Sequence, residues 1–354
     1  MGNSYGISHL RKLRKWGLAL LCAVSLLTVS VADAAAARVT DMAGRTVTVP
    51  GKIRKVWSAY PPLTYLLYTL APELLNGWNS PLSERSRPFV DSRYRDLPVV
   101  GGWFGQRTPN FETLVQARPD VALVWDSSLR AMPAMGERLR KLSIPVVAIK
   151  LERLSDYPET ILFLGRLLDR RARARQLADS ITGTIREMRA FAASIPPRER
   201  KSVYYAIGPD GLGNDCEHMP FLEESIELAG GRSAHHCARR KTLSNKISLE
   251  LVMAYNPDVI ITQDNHFFGK VLSDRRWQGI RAVKERRVYR IPSLPFNWLN
   301  YPPSFMRALG VRWLASVIYP ERRKQNLERD VRNFYRQFLN LELNQRQIEA
   351  ILAN

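Results

Sequence analysis

The stretch SDYPETILFLGRLLDRRARARQLADSITGTIREMRAFAAS, Ser155 to Ser194, decides the architecture. Its apolar residues recur at three- and four-residue steps, through Ile161, Leu164 and Leu168 and then Leu177, Ile181, Ile185 and Met188. That spacing is helical, and it runs past the roughly 8–20 residues of an ordinary globular helix. Pro158 and Glu159 suit a first turn, where a missing N–H costs nothing and negative charge meets the helix dipole. Pro196 and Pro197 stop the pattern. The stretch predicts one long backbone helix, residues 155–195, joining two lobes. A second reading stays open: two ordinary helices broken near Asp169–Ala174 inside one domain.

On the N-terminal side, residues 37–154 read as the first lobe. Arg38 to Pro50 alternates apolar and polar residues around an Ala-Gly turn, a β-hairpin pattern. Lys55–Tyr60, Pro98–Gly102, Val121–Trp125 and Val146–Ile149 read as strands, with helices at Leu63–Leu70, Asn110–Ala117 and Met135–Leu142 between them. Residues 196–320 repeat that texture, with strands at Ser202–Ile207, Val259–Thr262 and Arg287–Ile291 and a helix at Phe305–Ile318. Residues 321–354 read as an amphipathic helical tail. Strands alternating with helices predict an α/β fold of two lobes, each a parallel-type sheet flanked by helices. Ligands of such sheets sit beyond the carboxyl ends of the strands.

One repeat is visible in letters. Asn110-Phe-Glu112 leading to Pro119-Asp120-Val121 matches Ser248-Leu-Glu250 leading to Pro257-Asp258-Val259. Each copy has a capping residue, an early Glu, a short helix, Pro-Asp and a strand. Cap and Glu together satisfy free N–H groups and the helix dipole, which accounts for the pattern structurally. It also places Glu112 and Glu250 at equivalent points of the two lobes.

Residues 1–36 read as a cleavable signal peptide that sends the chain to the periplasm. Arg11, Lys12, Arg14 and Lys15 precede an apolar run from Trp16 to Val31, and small residues follow at Ala32–Ala36. Hydrophobic content of 45% and charged content of 24% are ordinary for a chain that buries a core. The formal charge of +20 is open to nucleic acid, an anionic membrane surface or an anionic small ligand; export argues against nucleic acid, and the short dispersed basic runs read first as solvated surface. Beyond the leader two cysteines remain, Cys216 and Cys237, and an isolated pair in an exported protein reads as a disulfide. With His218, His235 and His236 the same cysteines form the alternative, a one-sided metal cluster and with it an exported metal chaperone or sensor. After the leader there is neither a G-x-S-x-G nor an H-E-x-x-H motif, so the chain does not read as an enzyme.

Several elements in order resemble the helical-linker class of periplasmic substrate-binding proteins, which serve ABC importers of ferric siderophores, haem and vitamin B12. They are V-T-D-x-x-G-R-x-V-x-V-P at Val39–Pro50, V-G-G at Val100–Gly102, the Glu112 and Glu250 motifs, and R-V-Y-x-I at Arg287–Ile291. The resemblance implies a monomer with no intrinsic cofactor, a small-molecule ligand held between the lobes, and an ABC permease in the inner membrane. It also implies that Glu112 and Glu250 dock onto that permease, and that the linking helix limits closure.

For the ligand, the residues favour a metal chelate. Tyr60, Trp103, Phe104 and Trp125 in the first lobe, with Tyr205, Phe296 and Trp298 in the second, offer aromatic surface for a flat or bulky chelate. Asp264 and His266 follow a strand directly, and His266 is placed to ligate a metal centre. Arg307, with Arg107, Arg239 and Arg240, offers forked donors for an anionic ligand. The alternative cargo is an oxoanion such as molybdate or tungstate, or a nickel chelate. A bare divalent ion held between lobes is disfavoured, because the four histidines after the leader all lie in the second lobe.

Overall fold

The computed structural model describes residues 36–103, 108–213, 219–236, 246–300, 302–323 and 327–353. Residues 38–49 and 53–354 form one compact unit, which contains both lobes. Strands β1 (Ala37–Thr40) and β2 (Thr46–Val49) make the opening hairpin. Asp41 explains its V-T-D-x-x-G-R signature. One carboxylate oxygen accepts the Ala43 and Arg45 N–H groups, while the other accepts the Ala148 N–H at 3.0 Å and pins the hairpin to the first lobe. Gly44 stands at φ +78° in the turn, a conformation that favours glycine.

The first-lobe sheet is parallel, in the order β3 (Val56–Ser58), β4 (Val121–Trp125), β5 (Val146–Ile149). Helices α1 (Pro61–Leu70), α2 (Phe111–Ala117), α3 (Asp126–Ala131) and α4 (Pro133–Lys141) surround it. Strand β4 is central and buried at every residue, which accounts for its unbroken apolar run. The strand expected at Pro98–Gly102 is one bridge, Trp78 to Val99. Val100 and Gly101 both donate to the Trp78 carbonyl and Gly101 turns to φ +80°, so the extended run ends at once.

The long helical stretch is broken. Helix α5 (Tyr157–Leu167) closes at Leu168, and α6 (Arg171–Ala193) starts three residues later. Asp169 sits in the left-handed region at φ +53°, and the Arg170 N–H bonds back to the Gly165 carbonyl at 2.7 Å, as in a Schellman closure. The two helices pack on one another, with Gly165 so close to Ala174 that a Cβ at 165 would lie 2.2 Å from the Ala174 Cβ. Helix α6 alone makes the crossing. Its 23 residues span about 35 Å. Arg170, just before it, pairs with Glu73 in the first lobe, and Phe191 near its end packs on Tyr319 in the second.

The second-lobe sheet is also parallel, in the order β7 (Arg232–Ser233), β6 (Ser202–Ala206), β8 (Val259–Thr262), β9 (Val288–Arg290). Its helices include α7 (Met219–Leu228), α8 (Leu249–Tyr255), α9 (Asn265–Val271) and α10 (Arg307–Ile318). The tail forms α11 (Leu327–Leu339) and α12 (Gln345–Leu352). It returns to the middle of the protein. Phe334 and Phe338 stack in parallel on Phe305, Tyr335 meets Phe89 of the first lobe at 6.3 Å, and Gln337 accepts from Ser180 on α6.

Gly165→Ala is expected to destabilise by about 1–3 kcal/mol, because the α5–α6 contact has no room for a methyl group. Gly183→Ala, on an open part of α6, is expected to stabilise by about 0.5–1 kcal/mol. Denaturant unfolding of both variants checks the helix pairing; equal shifts would contradict it.

Candidate functional site

The repeated motif becomes two matching corners. Asn110 accepts the Thr113 N–H at 3.1 Å and Ser248 accepts the Leu251 N–H at 3.2 Å, so α2 and α8 start alike. Both end on a left-handed residue, Arg118 at φ +44° and Asn256 at φ +40°. The Pro-Asp that follows has a structural job. Asp120 accepts the Arg54 and Lys55 N–H groups at the start of β3, and Asp258 accepts the Ser202 N–H and hydroxyl at the start of β6. Each aspartate ties a central strand to its parallel neighbour. Burial alone would raise the Asp258 carboxyl, but bonds from the Ser202 N–H, Arg281 and the Ser202 hydroxyl outweigh it and hold it below the ordinary range.

Glu112 and Glu250 stand exposed on the first turns of these helices. The Glu250 carboxyl is held low by its own backbone N–H and by the Ser248 hydroxyl. Three residues on, Val115 is 47% exposed and Met253 45%. On a helix that spacing puts each beside its glutamate.

Tyr60 and Trp125 come together with rings 5.1 Å apart, and Phe221 of the second lobe joins them 6.4 Å from Trp125. Burial raises the Tyr60 phenol and a hydrogen bond with Ser128 offsets part of that. Trp103 is half-buried, edge-on to Trp57 and Phe111. Tyr205 is buried within β6. Phe104, Arg107, Cys216, His218, Cys237, Arg239 and Arg240 lie outside the described residues.

Two expectations are corrected by burial. Trp298 is 0% exposed, with its indole N–H directed at the Leu294 carbonyl, and it belongs to the core. Arg307 is also 0% exposed, and its two terminal nitrogens are spent on protein groups while its Nε has no partner among the described residues. It donates to Glu224 at 2.9 Å, to the Phe221 carbonyl, to Ser225 and, across the lobes, to the Glu152 carbonyl. Glu224 in turn accepts the Leu154 N–H at 2.7 Å. Arg307 therefore fastens the place where the first lobe enters α5 and faces no ligand.

A cavity of about 650 Å³ lies between the lobes at the carboxyl ends of β6 and β8. Gln263, Asp264 and Phe296 line it from the second lobe, and Tyr65, Trp78 and Ser83 from the first. Tyr65 and Phe296 stack at 3.9 Å, joining the lobes at its wall. Burial pushes the Tyr65 phenol well above its usual range, so it stays a protonated donor. Asp264 caps α9, its Oδ1 accepting the His266 and Phe267 N–H groups at 2.9 Å. His266 is exposed and lines a different pocket, of about 280 Å³, beside Lys270 and Asp274. Most of the first-lobe wall comes from Trp78–Ser83 and Ser86, within GWNSPLSERSRP, residues 77–88, a Ser- and Pro-rich run with a tryptophan. That composition marks a loop, and its trapped tryptophan was the one signal of a built wall.

His235 is half-buried, 3.1 Å from the Tyr255 hydroxyl; burial and the neighbouring His236 hold its pKa down. His236 is exposed, 3.3 Å from Glu223. Among the described residues no group of three or more His, Cys, Asp or Glu side chains is placed to hold a metal ion.

Two parallel-sheet lobes, one crossing helix and a cavity at the strand ends define a bilobal ligand-binding protein. The periplasmic binding protein family model matches residues 84–295, and the chain belongs to that family as the substrate-binding component of an ABC transporter. An ABC transporter solute-binding protein from Sulfurospirillum deleyianum is 33% identical, with a TM-score of 0.82 over 90% of this chain and 99% of that one. The molybdate-binding protein MolA of Haemophilus influenzae is 26% identical over 90% of this chain and 95% of its own length. The vitamin B12 binding protein BtuF of Vibrio cholerae shares the fold, with a TM-score of 0.58 at 20% identity over 77% of this chain and 99% of that one. Its relatives are binding proteins of ABC transporters and not enzymes, and members of the family carry no intrinsic cofactor.

Arg307→Ala is expected to cost about 3–5 kcal/mol, since it leaves Glu224 without its cation at the lobe junction. Urea unfolding measures it; a loss under about 1 kcal/mol would remove Arg307 from that role.

Proposed function

We propose that the protein binds a metal chelate between its lobes, of the ferric siderophore, corrinoid or haem kind, and hands it to a membrane permease. The observation that carries this reading is the interlobe cavity of about 650 Å³ with Tyr65, Trp78 and Phe296 at its wall. That volume falls in the range of about 300–1,000 Å³ typical of sites for whole small molecules. A bare metal ion or tetrahedral oxoanion is far smaller than that space, which suits the bulky organic shell of a chelate. An oxoanion is the second reading, favoured by the likeness to a molybdate-binding relative over nearly the whole chain. A disulfide between Cys216 and Cys237, and removal of residues 1–36 on export to the periplasm, belong to the same reading.

Delivery would use Glu112 and Glu250. Both are exposed carboxylates at matching corners of the two lobes, each with an apolar neighbour at its side, Val115 or Met253. Such a pair suits a permease face that presents a cation beside an apolar rim.

Tryptophan fluorescence of the protein without residues 1–36 tests the cargo. The panel holds ferric siderophores, haemin, cobalamin, nickel–histidine, molybdate and zinc. Submicromolar quenching by one of the chelates is expected. A response to molybdate alone would establish the oxoanion reading instead. A response to zinc alone, lost in a His235→Ala/His236→Ala variant, would establish the metal-chaperone reading.

The double variant Glu112→Ala/Glu250→Ala is expected to keep cargo affinity and lose at least about tenfold in uptake. Unchanged uptake in cells would end the docking assignment.

A further inference from the structure

The charge of the cavity wall runs against that of the protein. The chain carries 53 Lys and Arg against 33 Asp and Glu, yet no Lys, Arg or His is among the described residues of the wall. Its one carboxylate there is Asp264. The two N–H bonds from His266 and Phe267 both fall on Oδ1 and fix the side chain in place. No described residue donates to Oδ2, and no described cation lies within ion-pair distance of the group. Asp264 itself is half-buried at the wall.

The wall is held in advance of any ligand. Trp78 and Phe296 meet at 6.3 Å, Phe296 stacks on Tyr65, and Trp78 and Phe296 are almost wholly covered, at 2% and 4% exposure. Asn297 donates to Gln263 at 2.9 Å, and its side-chain Oδ1 accepts the Leu299 and Asn300 N–H groups. An anion entering here would be stripped of water beside a carboxylate that no cation among the described residues offsets, which is costly. A cationic arm would gain a charge-assisted bond to Asp264.

Resting on the chelate reading above, we infer that the site selects by charge, taking a chelate that presents an ammonium- or guanidinium-like cationic group to Asp264 at the cavity wall. The basic surface then acts elsewhere, and the overall charge of the protein is no guide to the charge of its cargo.

The test uses a matched pair of probes: a ferric trihydroxamate with a free terminal ammonium arm, and the same chelate with that amine acetylated. Fluorescence titration measures both, with molybdate alongside, on the wild-type protein and on Asp264→Asn. The asparagine keeps an acceptor for the His266 and Phe267 N–H groups, and a matching thermal melt verifies that the fold is retained. The wild type is expected to favour the ammonium chelate by about ten- to a hundredfold, the range of a charge-assisted hydrogen bond. Asp264→Asn is expected to bind the two equally. Equal affinities in the wild type, or a preference that survives in Asp264→Asn, would overturn the inference while the chelate reading stands. Binding of molybdate with no binding of either chelate would overturn both.

Discussion

The buried guanidinium of Arg307 is the contact on which the two-lobed arrangement depends. A charge withdrawn from water is costly unless it is paired, and the terminal nitrogens of Arg307 meet Glu224, the Phe221 carbonyl, Ser225 and the Glu152 carbonyl at once, while its Nε has no partner among the described residues. Those partners belong to α7 and to the segment that leaves the first lobe. One residue on α10 therefore joins the second lobe to the entrance of the crossing helices. The tail adds a second hold, since α11 touches Phe89 in the first lobe, Phe305 in the second and Ser180 on α6. Lobes tied at several places present a cavity whose walls are largely set before the ligand arrives, and less of the binding energy goes to ordering them.

The two lobes solve one problem in the same way. A parallel sheet needs each helix to stop sharply and the chain to re-enter as a strand. The capped helix, the left-handed closing residue and Pro-Asp do this at Asn110–Asp120 and again at Ser248–Asp258. The aspartates lock the neighbouring strands, so the motif is accounted for by the sheet up to that point. What the sheet does not use is the outward pair of a glutamate and an apolar residue three positions on, and that remainder is what a partner can read.

The site was legible in part. Asp264 and Phe296 were readable because one follows a strand directly and the other lies in a proline-shaped loop, and both reach the cavity wall. Tyr60 and Trp125 were readable as strand-end aromatics, and they do come together, although across from Phe221 and away from that wall. Trp298 and Arg307 carried the same local signals and are core. An aromatic or an arginine after a strand looks alike in letters whether it meets a ligand or a neighbouring helix. Which it meets is set by residues far away in sequence, such as Glu224, which pairs with Arg307. The wall at Trp78–Ser83 went unread because it is a loop with no periodicity.

By itself the sequence determined the α/β class, the two lobes with α-helical crossing between them, the capped repeat and the family, because each rests on local periodicity or on short motifs kept in order. Tertiary structure decided the rest. The apolar steps through Ser155–Ser194 are the same for one helix as for two helices packed together, and the break at Asp169 turns on a left-handed residue that aspartate can adopt without requiring it. The amphipathic tail showed that it must cover something; only the assembled fold shows that it covers Phe305, Phe89 and α6 together. The wall of the cavity comes from segments about two hundred residues apart, and the lack of cations among its described residues, in so basic a chain, is a fact of placement that composition cannot carry.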